Sequence, residues 1–158
     1  MPIPKSFGHY LDEHRLPYEV VHHCRNFTAQ ETAAGTHTRA MDFAKTVVVW
    51  VDNRYCMAVV PATCRIDIEK FKEFLSAKTV KLANEEELSA LCPNCEIGAM
   101  PPFGEMFDLP VYISSLLTFD HVITFNGGTH EDAIRMPYRD YDDVVKPRVF
   151  DFTRQIRN

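Results

Sequence analysis

A lysine at position 45 stands inside a run of residues, 43–51, whose β-branched and apolar side chains are typical of a buried strand. Side chains alternate between the two faces of a strand, so Lys45 shares its face with Phe43, Val47 and Val49. One interpretation is that the long stem carries the ammonium to water, or that the lysine protects an edge strand from pairing. The other is an ammonium directed into a cleft, where it would meet a phosphate or a developing oxyanion.

The segment 98–104 combines two glycines with two adjacent prolines, a composition that fixes the backbone and leaves peptide N–H groups accessible. Its residues are Gly98, Ala99, Met100, Pro101, Pro102, Phe103 and Gly104. It ends a longer irregular segment, 92–104, and long loops inside compact domains often carry function. We expect either a loop that binds an oxyanion or a carbonyl, or a rigid turn between a helix and a strand.

A second candidate loop follows a strand-like run at 121–125. Its residues are Asn126, Gly127, Gly128, Thr129 and His130. The backbone amides of such a turn can bind a phosphate, and Thr129 and His130 could add side-chain hydrogen bonds. The alternative is an ordinary turn with a structural histidine.

The cysteines are five in number and scattered through strand-like and loop-like segments, with no secretory leader before them. They are Cys24, Cys56, Cys64, Cys92 and Cys95. This pattern predicts reduced thiols in a cytoplasmic protein. Cys92 and Cys95 have the spacing of half a zinc site or of a redox dithiol, and His22, His23 and Cys24 could complete a tetrahedral site. The sequence has no second Cys-x-x-Cys pair, so we expect neither a metal nor another cofactor.

Familiar motifs of nucleophilic, zinc-dependent and nucleotide-hydrolysing enzymes are missing: the sequence has no G-x-S-x-G, no H-E-x-x-H and no P-loop. An enzyme with this sequence would depend on positioning and electrostatics. The net charge of −5 argues against an extended binding surface for DNA or another polyanion. A nucleic-acid substrate would therefore be bound locally, at one end. No apolar run approaches the roughly 18 residues that cross a membrane, which predicts a soluble protein without a membrane partner.

Local patterns predict a single α+β domain over residues 1–158, with a mixed sheet and helices packed on it. Helices are predicted at 6–16, 28–35, 66–77 and 84–91, and Thr28 and Asn84 are expected to cap the second and the fourth. Strands are predicted at 18–21, 43–51, 55–60, 80–82, 111–114 and 121–125, with a tight turn at Asp52 and Asn53. After residue 128 the pattern predicts only a loose helix and a last strand at 149–152. The order of the strands in the sheet cannot be derived from these local patterns.

Several short segments occur in a particular order along the chain. They are Thr28-Ala-Gln30, Ala44-Lys45-Thr46-Val-Val-Val, Ala58-Val-Val-Pro-Ala62, Arg65-Ile-Asp67, Leu82-Ala83 with Glu87-Leu88, Gly98-Ala-Met-Pro-Pro-Phe-Gly104 and Phe125-Asn-Gly-Gly-Thr-His130. Together they resemble the YbaK / prolyl-tRNA-synthetase-associated editing domain family. The match is strongest over residues 18–136, and the order of the segments makes it far more specific than any one of them.

The resemblance implies a mixed, strongly curved sheet flanked by helices, and hydrolysis of the ester that joins a wrong amino acid to the 3′-terminal ribose of a tRNA. Lys45 matches the family's functional lysine, which is thought to orient the terminal nucleotide and the carbonyl. Gly98 and Pro102 match the ends of the family's G-x-x-x-P loop, whose backbone handles the aminoacyl group.

Gly127, Gly128 and His130 match a glycine-containing loop beside the lysine, to which some members contribute a histidine. The resemblance therefore implies Lys45, Gly98 and His130 as catalytic residues. The implied substrate-binding residues are Thr46, Ala99, Met100, Pro101, Pro102, Phe103, Gly127, Gly128 and Thr129. The implied substrate is a small amino acid on tRNA-Pro or a similar tRNA, bound by its 3′ end, with an aminoacyl-tRNA synthetase as a further candidate partner.

Three functions remain in competition at this point. The leading one is a deacylase that needs no metal, because an ester is already activated and a site that positions it and polarises its carbonyl supplies much of the rate. A non-catalytic binding module that senses an amino acid, a nucleotide or an aminoacyl-tRNA end would use the same residues. The third is a zinc or thiol-redox protein based on Cys92 and Cys95.

Overall fold

The structure, a computed structural model, describes residues 3–24 and 28–156. Within these ranges it contains five α-helices and ten strands. The helices are α1 (Lys5–Glu13), α2 (Ala29–Gly35), α3 (Ile68–Leu75), α4 (Glu85–Leu91) and α5 (Tyr138–Val145). The strands are β1 (Glu19–His22), β2 (Phe43–Val51), β3 (Arg54–Pro61), β4 (Cys64–Ile66), β5 (Val80–Leu82), β6 (Val111–Ser114), β7 (Val122–Asn126), β8 (Asp132–Pro137), β9 (Arg148–Phe150) and β10 (Thr153–Gln155).

Most of the strands form one mixed sheet in the order β1-β8-β7-β2-β3-β6-β9, with β5 added to β2. The pairs β2–β7, β3–β6 and β6–β9 are parallel, and the other pairs of this sheet are antiparallel. β4 and β10 form a separate two-stranded sheet. The predicted α+β fold with a mixed sheet is confirmed. The predicted hairpin of β2 and β3 is confirmed as well, with Asp52 and Asn53 at positive φ in its turn.

Apolar clusters cover both faces of the sheet. On one face, α1, α5 and the segment that follows α4 pack the fully buried rings of Phe7, Phe103, Phe125 and Tyr141 together. On the other face, α3 contributes Phe71 to a second cluster, and α2 covers a third. Burying one such side chain stabilises the fold by about 1.5–3 kcal/mol. Because both faces are covered, a ligand reaches the sheet most easily at strand ends and edges.

The helix predicted at 66–77 is shorter than expected. Cys64–Ile66 is strand β4, paired with β10, and the helix begins only at Ile68. The reason is Asp67, whose side chain accepts a hydrogen bond from the backbone N–H of Lys70, so that Asp67 is the N-cap and the first helical residue is two positions later than predicted. The helix ends at Leu75 because Ser76 takes the left-handed conformation.

Strand β8 was missed by the sequence analysis. It lies between β1 and β7, yet its sequence includes Asp132 and Arg135 and does not show the apolar pattern of a central strand. Both polar residues are paired: Asp132 with His22, and Arg135 with the carbonyl of Thr36. The predicted last strand at 149–152 is also divided, since β9 ends at Phe150 and β10 begins at Thr153.

The prediction that all the cysteines are reduced thiols is wrong for two of them. Cys92 and Cys95 form a disulfide across the end of α4, with their Cα atoms 5.5 Å apart. Cys24, Cys56 and Cys64 are free. Within residues 3–24 and 28–156, no group of three or more His, Cys, Asp or Glu side chains is arranged to hold a metal ion.

Candidate active site

Strand register places Lys45 next to the loop that follows β7. β2 and β7 run parallel, and their pairing extends to Ala44 and Phe125. The next residues along the two strands are Lys45 and Asn126, and neighbouring strands lie about 4.8 Å apart. Because Asn126 is the last residue of β7, Lys45 lies beside the start of the loop 127–131.

One edge of β2 is open beside Lys45. β3 pairs with one edge of β2 along residues 44–51. β7 and β5 must therefore share the opposite edge of β2. β7 pairs with residues 43 and 44, and β5 pairs with residues 49–51. In the described part of the chain, no strand pairs with residues 45–47 on that edge. We name this gap, residues 45–47 between the ends of β7 and β5, the Lys45 opening.

The Lys45 side chain carries an unpaired charge at this opening. It is half-buried, and it forms no ion pair with any described residue. Burial, the largest cause, lowers the pKa of Lys45; the nearby charge of Arg65 lowers it further and Cys64 opposes both effects. A half-buried ammonium near a second cation favours a ligand with a negative or partly negative oxygen.

Thr46, predicted to bind substrate, points to the face of β2 opposite to Lys45. Its hydroxyl oxygen is buried and has no hydrogen-bond partner among residues 3–24 and 28–156. The side-chain oxygen of Asn126 is likewise buried and has no hydrogen-bond partner among the described residues. The unsatisfied oxygen of Thr46 therefore faces away from Lys45, whereas that of Asn126 belongs to the neighbouring strand β7. Asn126 was placed in the predicted loop 126–130, but no side-chain role was predicted for it, although a polar residue at a strand end before a glycine pair is a signal that could have indicated one.

The segment 98–104, which matches the G-x-x-x-P loop, is mostly buried. Gly98 is exposed and has φ of 86°, a conformation that favours glycine. From Ala99 onward the segment is buried, and Phe103 packs in the aromatic cluster on α1 and α5. The carbonyl of Pro102 accepts a hydrogen bond of 2.7 Å from the hydroxyl of Tyr141. A contribution of Ala99, Met100, Pro101, Pro102 and Phe103 to substrate binding stays a prediction, and the burial favours backbone over side-chain contacts.

Hydrogen bonds join the two predicted loops, 98–104 and 126–130. We call residues 96–104 and 127–131, which include these bonds, the interlocked loops. The N–H of Glu96 donates to the carbonyl of Gly128, at 2.8 Å, and the N–H of Gly128 donates to the carbonyl of Ala99, at 2.9 Å. The carboxylate of Glu96 also accepts the N–H of His130, at 2.8 Å. The structure thus brings the two loops together. Glu96 was missed, because an acid inside the irregular segment 92–104 looks like any surface acid.

His130, predicted to be catalytic, is buried between the loops. Its Nε2 lies 2.6 Å from the carbonyl oxygen of Ile97, and its ring lies beside Gly98. A nitrogen that faces a carbonyl at this distance must donate its hydrogen, so this Nε2 cannot accept a proton from a substrate. The geometry supports a role in holding Gly98 in place, and a catalytic contribution of His130 or Gly98 stays a prediction.

Gly127, Gly128 and Thr129, predicted to bind substrate, are held by the protein's own contacts. Gly128 has φ of 98°, and a Cβ atom there would lie 2.7 Å from Cδ of Pro4. The hydroxyl of Thr129 donates to the buried carboxylate of Asp132, at 2.7 Å. These contacts fix the shape of the loop, and ligand binding by the three residues stays a prediction.

A cleft of about 670 Å³ adjoins the interlocked loops on the side of the N-terminal segment. It is lined by Pro4, Lys5, Ser6, Pro93, Asn94, Cys95, Glu96, Gly128, Thr129 and Glu131. Lys45 is not among its lining residues. We place the candidate site at the Lys45 opening rather than in this cleft, because the unpaired cation and the unsatisfied oxygen of Asn126 lie there.

The family follows from the sequence as a whole. Residues 24–144 match the family model described as the aminoacyl-tRNA editing domain. The chain belongs to this family. The resemblance drawn from the short segments of the sequence is therefore confirmed, and it extends over α5, where the segments did not reach.

Known proteins are similar to parts of the chain. The multifunctional Ser/Thr-tRNA deacylase ProXp-y of Escherichia coli K12 is 27% identical over 104 residues, which cover 65% of this chain and 61% of that protein. The chain thus spans about three fifths of the length of this relative. A proline–tRNA ligase of Bacillus cytotoxicus is 30% identical over 82 residues, which cover 52% of this chain and 14% of the ligase.

Solved structures share the fold over nearly the whole chain. A candidate trans-editing enzyme for prolyl tRNA synthetase has a TM-score of 0.83 and 21% identity, with 95% of this chain and 96% of that chain covered. A hypothetical protein has a TM-score of 0.84 and 19% identity, with 93% and 98% covered. At such identities the likeness concerns the fold.

Each helix in the described ranges falls short of the length and hydropathy that a membrane span needs.

Proposed function

We propose that this protein is an aminoacyl-tRNA deacylase, which hydrolyses the ester between a wrongly attached amino acid and the 3′-terminal ribose of a tRNA. The observation that carries the proposal is the half-buried, unpaired ammonium of Lys45 at an opening beside the interlocked loops. Membership of the aminoacyl-tRNA editing domain family supports it.

The proposed mechanism depends on positioning and electrostatic stabilisation. The ester carbonyl would lie at the Lys45 opening, where the ammonium donates to the carbonyl oxygen or to a phosphate and stabilises the charge that develops during attack. The segment that starts at Gly98 would limit the space for the aminoacyl group through its fixed backbone. A water, or the ribose hydroxyl next to the ester, would be the attacking group. The mechanism assigns no step to a covalent intermediate or to a metal ion.

A small amino acid is the proposed substrate. Apolar pockets discriminate a single methylene by only about 1–3 kcal/mol, so synthetases release some small amino acids on the wrong tRNA and editing enzymes remove them. Serine and threonine are candidates because the E. coli relative is named a Ser/Thr-tRNA deacylase. We also propose the 3′ end of tRNA-Pro, or of a similar tRNA, and a prolyl-tRNA synthetase as partners, since a proline–tRNA ligase contains a matching segment.

The test is release of labelled amino acid from a panel of charged tRNAs, with Lys45→Ala beside the wild type. The panel includes tRNA-Pro charged with alanine or cysteine, and tRNAs mischarged with serine or threonine. We expect Lys45→Ala to lose at least about a hundredfold in rate on the preferred substrate while remaining folded. The exposed lysine variant Lys78→Ala is the matched control and should keep the wild-type rate. Unchanged turnover in Lys45→Ala would exclude the assigned role of this lysine.

A second candidate function is a non-catalytic module that binds an amino acid, a nucleotide or an aminoacyl-tRNA end. The observation that favours it is the engagement of His130 Nε2 by the carbonyl of Ile97, which removes this nitrogen from acid–base chemistry. Thermal stabilisation by one of these ligands, together with no release from any charged tRNA, would support the binding module over the deacylase.

A further inference from the structure

Asn126 has an unusual environment for a buried amide. It is the last residue of β7 and is 7% exposed, and its side-chain oxygen is buried without a hydrogen-bond partner in the described part of the chain. The great majority of buried polar side-chain atoms in proteins have such a partner. An unsatisfied oxygen is destabilising, so its presence calls for a partner that the protein alone does not provide.

The sheet fixes the direction in which Asn126 points. On β8 it pairs with Ala133, and directly paired residues of neighbouring strands share a face. Ala133 packs in one cluster with Phe43, which lies on the Lys45 face of β2. Asn126 and Lys45 are therefore adjacent on one face of the sheet, at the Lys45 opening.

The two side chains are complementary in hydrogen bonding. Lys45 only donates, whereas the free oxygen of Asn126 only accepts. They lie on neighbouring strands, each one residue past the last β2–β7 pair, which suits a ligand that carries an acceptor oxygen and a donor group close together. A cationic donor is disfavoured there, because Lys45 and Arg65 are both positively charged. A neutral hydroxyl satisfies the acceptor without this repulsion.

We propose that Asn126 is a substrate-binding residue whose side-chain oxygen accepts a hydrogen bond from a hydroxyl of the aminoacyl-tRNA end. This inference rests on the proposed function. An aminoacyl-tRNA end offers a hydroxyl from two sources: the free ribose hydroxyl next to the ester, and the side chain of serine or threonine. A substrate that lacks the relevant hydroxyl leaves the buried oxygen unpaired, which costs roughly five- to a hundredfold in affinity.

The experiment measures binding of three non-hydrolysable analogues, in which an amide replaces the ester at the 3′ position of adenosine. One carries serine, the second carries alanine, and the third carries serine on a ribose without the 2′-hydroxyl. Wild type is expected to bind the first about tenfold more tightly than whichever analogue lacks the recognised hydroxyl. In Asn126→Leu this difference should disappear. The alanine analogue reports on the side-chain hydroxyl, and the deoxy analogue reports on the ribose.

Several outcomes would overturn the proposal. These are wild-type binding that is equal for the three analogues or absent for all, an Asn126→Leu variant that keeps the wild-type preference, and an equal loss in that variant for all three. Deacylation of charged tRNA is measured in parallel. If the wild type deacylates none of the charged tRNAs, the proposed deacylase function is excluded. The amide analogues would still test substrate binding by Asn126.

Stability separates binding from a structural role. Replacing an unsatisfied buried oxygen by an apolar group of similar size should leave the unfolding midpoint unchanged or raise it. A structural residue would instead lower the midpoint. Thr124→Val is the matched control, because Thr124 is buried on the same face of β7 two residues earlier and should keep the wild-type preference. If Asn126→Leu does not fold, Asn126→Ala provides the same comparison of analogues.

Discussion

The two sides of the candidate site differ in how their polar groups are satisfied. In the interlocked loops, Glu96, Gly128 and His130 exchange hydrogen bonds of 2.6–2.9 Å with each other and with neighbouring carbonyls. At the Lys45 opening, the ammonium has no ion pair, and the side-chain oxygen of Asn126 has no partner among the described residues. The loops are therefore a scaffold whose polar groups already have hydrogen-bond partners within the protein. The opening contains polar groups whose partners a substrate would provide.

This contrast predicts opposite effects of substitution on stability. Changes in the interlocked loops should destabilise the protein, because they remove satisfied contacts or create clashes. Changes at the opening should leave stability unchanged or increase it, because they remove groups that burial disfavours. Proteins are rarely at their stability optimum where function requires strained or unsatisfied groups.

The largest effect is expected for Gly104→Ala, at the end of the interlocked loops. A Cβ atom there would collide with the backbone carbonyl of Leu109 and with the side chain of Val111. Because backbone must move to make room, we expect a loss of more than about 3 kcal/mol in the free energy of unfolding, measured with urea. The matched control is Gly8→Ala in α1, where the nearest atom, Cδ1 of Ile3, is 3.9 Å away.

Gly8→Ala should gain about 0.5–1 kcal/mol, the usual benefit of alanine over glycine inside a helix. Equal stability of Gly104→Ala and Gly8→Ala would show that the loop is not as closely packed as the structure has it. The interlocked loops would then not be a scaffold, and the comparison with the Lys45 opening would fail.

The sequence predicted the parts of this site that depend on short-range patterns. The β2–β3 hairpin could be predicted from Asp52 and Asn53, and the position of Lys45 on an apolar strand from simple alternation. The adjacency of Lys45 to Asn126 could not be predicted, because this adjacency depends on the parallel pairing of β2 with β7, some 80 residues away in sequence. β8 was missed because Asp132 and Arg135 are polar residues whose partners lie on distant elements.

The roles within the loops were also beyond local reasoning. Gly98 and His130 were predicted from their residue types and from the resemblance, but the contact between them depends on how two separate loops meet. The disulfide was not predicted, because a Cys-x-x-Cys pair is equally typical of a dithiol or half a metal site. Sequence patterns thus located the loops, and only the structure shows that they form a single unit.

An intermediate effect is expected for Glu96→Ala. The substitution removes the carboxylate that accepts the N–H of His130, and with it a hydrogen bond of a buried residue. We expect a loss of about 1–3 kcal/mol in the free energy of unfolding. Glu96→Gln keeps an oxygen acceptor at the same place and should recover much of this loss. A Glu96→Gln variant as unstable as Glu96→Ala would mean that the charge, rather than the hydrogen bond, joins the loops.

The smallest effect, and the one of opposite sign, is expected for Lys45→Met. Burial lowers the pKa of Lys45 from the ordinary value of 10.5, so the folded state disfavours the charged form. Between the lowered pKa and 10.5, the unfolded chain binds more protons than the folded one, and the stability of the wild type therefore rises with pH in this window. Below the window the penalty is fully present, and Lys45→Met should be more stable than the wild type.

The measurement is urea unfolding of both proteins from neutral pH to above 10.5. The advantage of Lys45→Met should be greatest at neutral pH and should shrink as the pH passes through the window, because deprotonation removes the penalty from the wild type. Lys78→Met, at an exposed lysine, controls for the loss of a surface charge and should show no such trend. A Lys45→Met variant less stable than wild type at neutral pH would mean that the ammonium is satisfied within the protein. The opening would then resemble the interlocked loops, and the reason for placing substrate there would be lost.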